Sequence, residues 1–316
     1  MKILIVRFSA IGDILLTFPV VEALGKKYAN AEIHFLTKPA HASLLQLLPR
    51  KIKVHLLSDS LLHTARALRE EHFDLVIDLH NNLRTLILQV FMRSFHWKRV
   101  NKLNIRKWLL TTFKWDTLPK VHVVDRYAKA ADVEVQFPMP LNLSMDQHPF
   151  SLPTAYVAWV LGATFETKQF PLNKIKEVLP ALNCPVVLLG GPKELEMANE
   201  LLKAFPSVLS VVGKTSISEA ALVLKGAKLV VTNDTGLMHL ASFYNKPMVC
   251  LWGNTLPAFG MYPFNNDQIK HFEVKDLACR PCSKIGSHRC PKSHFNCMQQ
   301  QDSTAISMEI NALFLQ

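Results

Sequence analysis

The stretch KILIVRFSAIGDILLTFPVVEALGKKY, residues 2–28, decides the fold. Ile3–Val6 is an unbroken apolar run, the pattern of a short strand buried on both faces. Arg7 ends the run, and Ser9, Ala10 and Gly12 supply the small residues of a tight turn. From Asp13 onward apolar positions recur at helical spacing, and Lys26 and Lys27 put positive charge where the helix would end. Strand, turn and helix in this order open a parallel sheet covered by helices. Arg7 also excludes a secretory leader, whose apolar core runs intact for about 7–15 residues.

The alternation continues outward. AEIHFLT (31–37), KVHLL (53–57) and DLVIDLH (74–80) read as strands, with HASLLQLL (41–48) and LLHTARALREEH (61–72) as helices between them. QFPMPLNLSMDQHPFSLP (136–153) carries four prolines and no periodicity, and reads as a linker. AYVAWVLGA, PVVLLGG, SVLSVVG, KLVVTN and PMVCLWG then restart the strand pattern, separated by helical stretches such as NKIKEVLPAL and ELEMANELLKAF. The expected plan is α/β, with two doubly wound domains, 1–150 and 151–316, and ligands in the cleft beyond the strand ends. No run reaches the ~18–20 apolar residues of a membrane span, so a cytoplasmic protein is expected.

Thirty-six Lys and Arg against 25 Asp and Glu give a net charge of +11, a bias toward nucleic acid, phosphorylated small molecules or acidic lipid. Much of the excess lies in FMRSFHWKRVNKLNIRKWLLTTFKW (91–115), which has no acidic residue and interleaves Trp97, Trp108 and Trp115. That composition suits an anionic bilayer surface, nucleic acid, or a solvated pair of amphipathic helices.

Four stretches carry chemistry. In KLVVTNDTGLMHLASFY (228–244) a strand runs into Asp234, Thr235 and Gly236, and a helix carrying His239 follows. This is either an anion site at a helix start or an ordinary N-cap. Gly191, ending PVVLLGG, and Lys168, in GATFETKQFP, fall in strand-end loops where ligand contacts gather. Asp13 reads as a general base or a helix cap, and Arg7 as a guide for anionic substrate or a partner for a carboxylate. CRPCSKIGSHRCPKSHFNC places Cys279, Cys282, Cys290 and Cys297 in a C-x2-C-led cluster, with His288 and His294 nearby. It reads as a structural zinc site or as reduced thiols packed as small hydrophobes; Cys184 and Cys250 read as core.

Together these residues resemble the lipopolysaccharide heptosyltransferases of glycosyltransferase family nine, of the heptosyltransferase II-like branch. The matching pieces are the opening stretch, DLHNNLRT (78–85), HVVDRY (122–127), GATFETKQFP (162–171), NDTGLMHL (233–240) and the cysteine-bearing loop. The resemblance implies a GT-B architecture of two Rossmann-like domains facing a central cleft, acceptor on the first and nucleotide sugar on the second. It implies inverting, metal-independent transfer of heptose from ADP-L-glycero-β-D-manno-heptose to Kdo-lipid A at the inner membrane surface, with peripheral attachment there. Asp13 matches the base. Thr164, Lys168, Gly191, Asp234, Thr235, Gly236 and His239 match the donor side, with Glu194 near the adenosine; Arg7, His80, Asn81 and Arg84 fall on the acceptor side. The resemblance requires no catalytic cofactor and no nucleic acid. A family member using another nucleotide sugar, or a GT-B nucleotide-sugar 2-epimerase, is the alternative.

Overall fold

A computed structural model of the chain describes residues 1–94, 96–143, 148–264 and 266–316. Residue 95 of the basic aromatic stretch and residues 144–147 of the expected linker lie outside the described residues. The chain forms two units, Met1–Leu103 with Val121–Asn142, and Asn104–Lys120 with Leu143–Gln316.

The first unit runs β1 (Lys2–Val6), α1 (Ile11–Leu15), α2 (Phe18–Lys27), β2 (Glu32–Thr37), β3 (Lys53–Leu56), α3 (Leu61–Glu70), β4 (Leu75–Asp78), α4 (Leu83–Met92) and β5 (Trp97–Arg99). After α5 (Asn104–Phe113), which groups with the second unit, α6 (Val123–Ala131) completes it. The sheet order is β3-β2-β1-β4-β5, all parallel. Ile3–Val6 is fully buried, as a strand covered on both faces must be.

The single helix expected after Gly12 is two. Pro19 lacks the N–H that would bond the Leu15 carbonyl, so α1 stops and α2 restarts with the proline in its first turn. The Thr17 hydroxyl fills the break by donating to the Ile14 carbonyl at 2.7 Å. HASLLQLL is a 3₁₀ segment, Pro39–Leu47, instead of an α-helix.

The second unit runs β6 (Val157–Val160), α7 (Leu172–Val178), β7 (Val186–Leu189), α8 (Leu195–Ala204), β8 (Leu209–Ser210), α9 (Ile217–Gly226), β9 (Leu229–Asn233), α10 (Gly236–Ser242), β10 (Met248–Trp252), β11 (Ile269–Glu273), α11 (Asn296–Gln299) and α12 (Ser303–Leu315). Its sheet order is β11-β10-β9-β6-β7-β8, again parallel. Trp159, Leu188, Val231 and Leu251, one from each central strand, meet Ile175, Leu201 and Ile310 in one apolar core. Both units are thus Rossmann-like and doubly wound, the α/β plan expected.

Each sheet reverses its winding once, between β1 and β4 and between β6 and β9. In an open α/β sheet the strand C-terminal ends flanking such a reversal leave a crevice for ligands. Arg7, Asp13, His80 and Asn81 follow β1 and β4; Thr164, Lys168, Asp234 and Thr235 follow β6 and β9.

The stretch 91–115 is not a helix pair. It contains the end of α4, the edge strand β5, and α5 of the second unit. Several of its cations are engaged structurally: Arg99 pairs with Asp78 at 3.2 Å, Arg106 donates to the Thr117 carbonyl, and Lys114 donates to the Pro281 carbonyl. Among the described residues no helix is long and apolar enough to cross a membrane.

Candidate functional site

At the β1–β4 reversal the Asp13 carboxylate is held on both oxygens. Oδ1 lies 2.7 Å from the Arg7 guanidinium and accepts from the Tyr127 hydroxyl at 3.4 Å; Oδ2 accepts the Ala10 backbone N–H at 3.3 Å. Asp13 therefore caps α1, yet its side chain remains 24% exposed. Arg7 takes the second of its two readings. Its side chain is buried, donates to the Ser9 and Leu79 carbonyls at 2.8 and 2.6 Å, and closes on Asp13. It orients the carboxylate and is not presented to solvent.

Tyr127 and its buried neighbour Arg126 come from α6, the HVVDRY stretch, and the motif reading gave neither a role. Burial raises the Tyr127 phenol well above its ordinary range and lowers the Arg126 guanidinium. The phenol stays protonated and able to donate to Asp13.

Beyond β4, the fully buried Asp78 shapes the next loop. Its Oδ1 accepts the backbone N–H groups of His80 and Asn81, at 3.0 and 2.7 Å, and its Oδ2 meets Arg99. Asn81 sits at φ +42°, a left-handed conformation asparagine tolerates, and its side-chain amide donates to the Val100 carbonyl. His80 packs against Phe8 with the rings tilted, centroids 4.6 Å apart, and burial, with the Arg7 and Lys102 charges, pushes its pKa down to about 3. It is a neutral imidazole at pH 7, and its Nδ1 has no hydrogen-bond partner among the described residues. Arg84 lies exposed in the first turn of α4, where a cation opposes the helix dipole. Its charge does nothing for the helix, and the side chain is available outward.

At the β6–β9 reversal the Lys168 ammonium lies 2.8 Å from Asp234 Oδ2, which also accepts the Thr255 hydroxyl at 2.7 Å. Asp234 is therefore spent on Lys168 and Thr255, and Thr235 makes no side-chain capping bond, so the N-cap reading of this stretch does not hold. Asn233 builds the corner. Its amide donates to the Val160 and Leu161 carbonyls and its oxygen accepts the Phe170 N–H, stapling the ends of β6 and β9 to the Lys168 loop. His239 is buried on α10.

Thr164 is exposed in the loop after β6. Glu194 folds back over the ends of β6 and β7, accepting the Gly191 N–H at 2.8 Å. A Cβ at Gly162 would stand 2.7 Å from the Glu194 carboxyl carbon, so that glycine makes room for the acid.

The cysteine loop braces the same corner. Arg280 donates to the Gly253 and Thr255 carbonyls, at 2.6 and 2.7 Å, and pairs with Glu273 at 2.7 Å. Thr167 exchanges hydrogen bonds with Ser287 at 2.8–2.9 Å. Neither Arg280 nor Thr255 has a local sequence signal: Arg280 acts on backbone carbonyls, and Thr255 on the Asp234 carboxylate, both distant in the chain. Cys279, Cys282, Cys290, His294 and Cys297 line a cavity of about 10 Å³, room for one water-sized occupant. The six cysteines are free thiols. Burial pushes Cys297 up to about 12 and raises Cys282, and the neighbouring thiols reinforce both shifts. The donor types are those of a zinc site, but among the described residues no three of these ligand atoms lie within 4.8 Å of one another.

Among the described residues, the ligand-type atoms that do come within 4.8 Å of one another are those of His34, His55 and Glu71. Glu71 is already clamped by Lys2 at 2.9 Å and Lys53 at 2.6 Å, and a metal there would have to displace two ammonium groups.

The chain is 26% identical over 302 residues to lipooligosaccharide heptosyltransferase 2 of Haemophilus influenzae, covering 82% of this chain and 85% of that protein. It is 26% identical over 295 residues to lipopolysaccharide heptosyltransferase 2 of Escherichia coli K12, covering 82% and 84%. The fold matches the structure of the E. coli ADP-heptose lipopolysaccharide heptosyltransferase II with a TM-score of 0.74 at 21% identity, over 100% of this chain and 99% of that one. The model of glycosyltransferase family 9 (heptosyltransferase) matches residues 61–292, spanning the loop after β4, both strand-end loops of the second unit and most of the cysteine loop. With residues in place at both reversals and a family match over most of its length, the chain belongs to glycosyltransferase family 9, the heptosyltransferases.

Proposed function

We propose that this chain transfers heptose, with inversion, from an ADP-activated donor to the Kdo-lipid A inner core of lipopolysaccharide. The observation that carries the reading is Asp13. It is a partly exposed carboxylate at the β1–β4 reversal, held in one orientation by Arg7, Tyr127 and the Ala10 N–H. A carboxylate paired in this way is ionised, as a base must be before it takes a proton from an attacking hydroxyl. The names of the relatives support an ADP-heptose donor and a lipopolysaccharide acceptor.

On this reading Thr164, Lys168, Gly191, Asp234, Thr235, Gly236 and His239 serve the donor, with Glu194 beside the nucleoside. The departing diphosphate gathers negative charge, and Lys168 is the protein's own cation to meet it. The reaction is therefore read as needing no catalytic metal. His80 and Arg84 serve the acceptor: the neutral imidazole to accept or donate a hydrogen bond, the guanidinium to meet phosphate on the lipid A core. Asn81 shapes their loop. The four thiols hold a structural ion, zinc on this reading, and elemental analysis of the purified chain tests it: metal-free protein with native stability overturns that assignment. The enzyme acts at the inner membrane surface, where its acceptor lies.

The test is transfer from ADP-heptose to Kdo-lipid A and to heptosyl-Kdo-lipid A in EDTA, for wild type and Asp13→Ala. Product from the wild type, lost in the variant with donor affinity retained, is the expected result. Full activity in Asp13→Ala removes Asp13 as the base. No transfer to either acceptor by folded wild type overturns the assignment of donor and acceptor.

A further inference from the structure

We infer that α4 is a bilayer-docking element whose outward face enters the headgroup region of an anionic membrane. One side of α4 is spent on the core: Leu88 and Met92 are buried against Leu68 of α3 and Val76 of β4. A helix packed on one side ordinarily turns polar residues to water on the other. Here Leu83 and Val90 are 72% and 70% exposed, and Leu86 and Phe91 are 42% and 47% exposed.

The charges beside this face select the occupant. Arg84 and Arg93 flank it, both exposed, and no aspartate or glutamate occurs anywhere from residue 79 to 115. Apolar side chains between guanidinium groups, without a carboxylate, match acyl chains beneath phosphate headgroups. A second copy of this face fits poorly. Two-fold pairing would bring the same arginines together with no acidic side chain from this segment to answer them. Nucleic acid would leave the four apolar side chains with nothing to pack against.

The placement also agrees with the function proposed above, and this part rests on that reading. The loop His80–Asn82 leads directly into α4, so a helix lying in the headgroup plane would hold the acceptor loop beside an amphiphile anchored in the same leaflet.

The experiment is co-sedimentation of the full chain with phosphatidylglycerol-containing vesicles and with phosphatidylcholine vesicles, over a range of salt. Wild type is compared with the double substitution Val90→Asp, Phe91→Asp and with a control, Met308→Asp, exposed on α12. Wild type and control are expected to bind the anionic vesicles, less well as salt rises. The double variant is expected to bind on the order of tenfold more weakly or worse, because it loses two apolar groups and adds like charge to the membrane. Its circular dichroism and its transfer to an acyl-free, water-soluble acceptor should match wild type. Undiminished binding by the double variant overturns the inference, as does failure of the wild type to bind. A wild-type dimer that the double variant dissolves overturns it too, assigning the face to a second copy. If the wild type binds vesicles yet transfers nothing to the soluble acceptor, the catalytic reading fails and the docking surface stands.

Discussion

Replacing Arg7 by methionine tests whether the β1–β4 corner is built around Asp13. The guanidinium makes two backbone bonds, at 2.8 and 2.6 Å, and one ion pair at 2.7 Å, from a side chain only 8% exposed. Breaking a buried ion pair by removing one partner costs about 3–5 kcal/mol. Asp13 is 24% exposed, so water recovers part of that loss, and about 3 kcal/mol is the expected destabilisation. Arg7→Lys keeps the charge, but a single ammonium does not span two carbonyls and a carboxylate, so roughly half the loss should remain. Urea unfolding of the full chain reads the change as a shift in midpoint at constant slope. The kinetic effect separates positioning from bulk stability. Without the guanidinium the carboxylate loses the partner that favours its charged form, so the acid limb of the pH–rate profile should move to higher pH in Arg7→Met. A loss under about 1 kcal/mol with an unmoved profile would refute the argument, because a cation this enclosed and this connected does not leave silently.

Three further outcomes follow from the same geometry. Asn233→Ala should cost about 2–4 kcal/mol in urea unfolding, since it leaves two buried carbonyls and the Phe170 N–H without their partner; a loss under 1 kcal/mol would mean the corner closes without it. Lys168→Met should lower kcat at saturating donor by about a hundredfold or more if the ammonium meets the departing diphosphate; an effect confined to KM would make it a ground-state contact only. The Lys2–Glu71–Lys53 clamp holds the Glu71 carboxyl down at about 2, so its stabilisation is present above the ordinary value of 4.5 and is lost as pH falls toward 2. Glu71→Gln should remove that part of the acid sensitivity, and an unchanged acid-unfolding midpoint would show that the clamp contributes nothing.

Much of this was legible because parallel strands buried on both faces appear as plain apolar runs. Ile3–Val6 and Leu229–Val231 are two such runs, and the polar residues that follow them mark the strand ends, where ligand sites gather in open α/β sheets. Asp13, His80, Lys168 and Asp234 could therefore be placed at strand ends before any coordinates. Other features are invisible to periodicity. The grouping of 104–120 with the second unit rests on contacts such as Lys114 to the Pro281 carbonyl and Lys107 over the Phe259 ring, and no local pattern announces them. Tyr127 reaches Asp13 from 114 positions along the chain, and Arg280 reaches the Thr255 carbonyl from 25. Exposure was only partly legible: Ile105, Trp108, Phe113 and Trp115 are exposed as the composition of 91–115 suggested, but the outward face of α4, with Leu83, Leu86 and Val90, lies before that stretch begins.

The two reversals share one construction. At each, a carboxylate at the start of the helix that follows a β-strand is closed by a cation held in place by the fold, Asp13 by Arg7 and Asp234 by Lys168, with a hydroxyl as the third partner, from Tyr127 or Thr255. Both charges of each pair are oriented before any substrate arrives, so the cost of ordering them is met in folding and not in the reaction. The pairs differ in what surrounds the cation. Arg7 is enclosed by carbonyls and fixed in place, which suits a carboxylate that must keep one orientation. Lys168 stands on a flexible stem at 15% exposure with a single carboxylate partner, so an incoming phosphate can share its ammonium without dismantling the corner. On the proposed function the residue types follow the division of labour: arginine where the partner must not move, and lysine where the cation itself must be free to change partners.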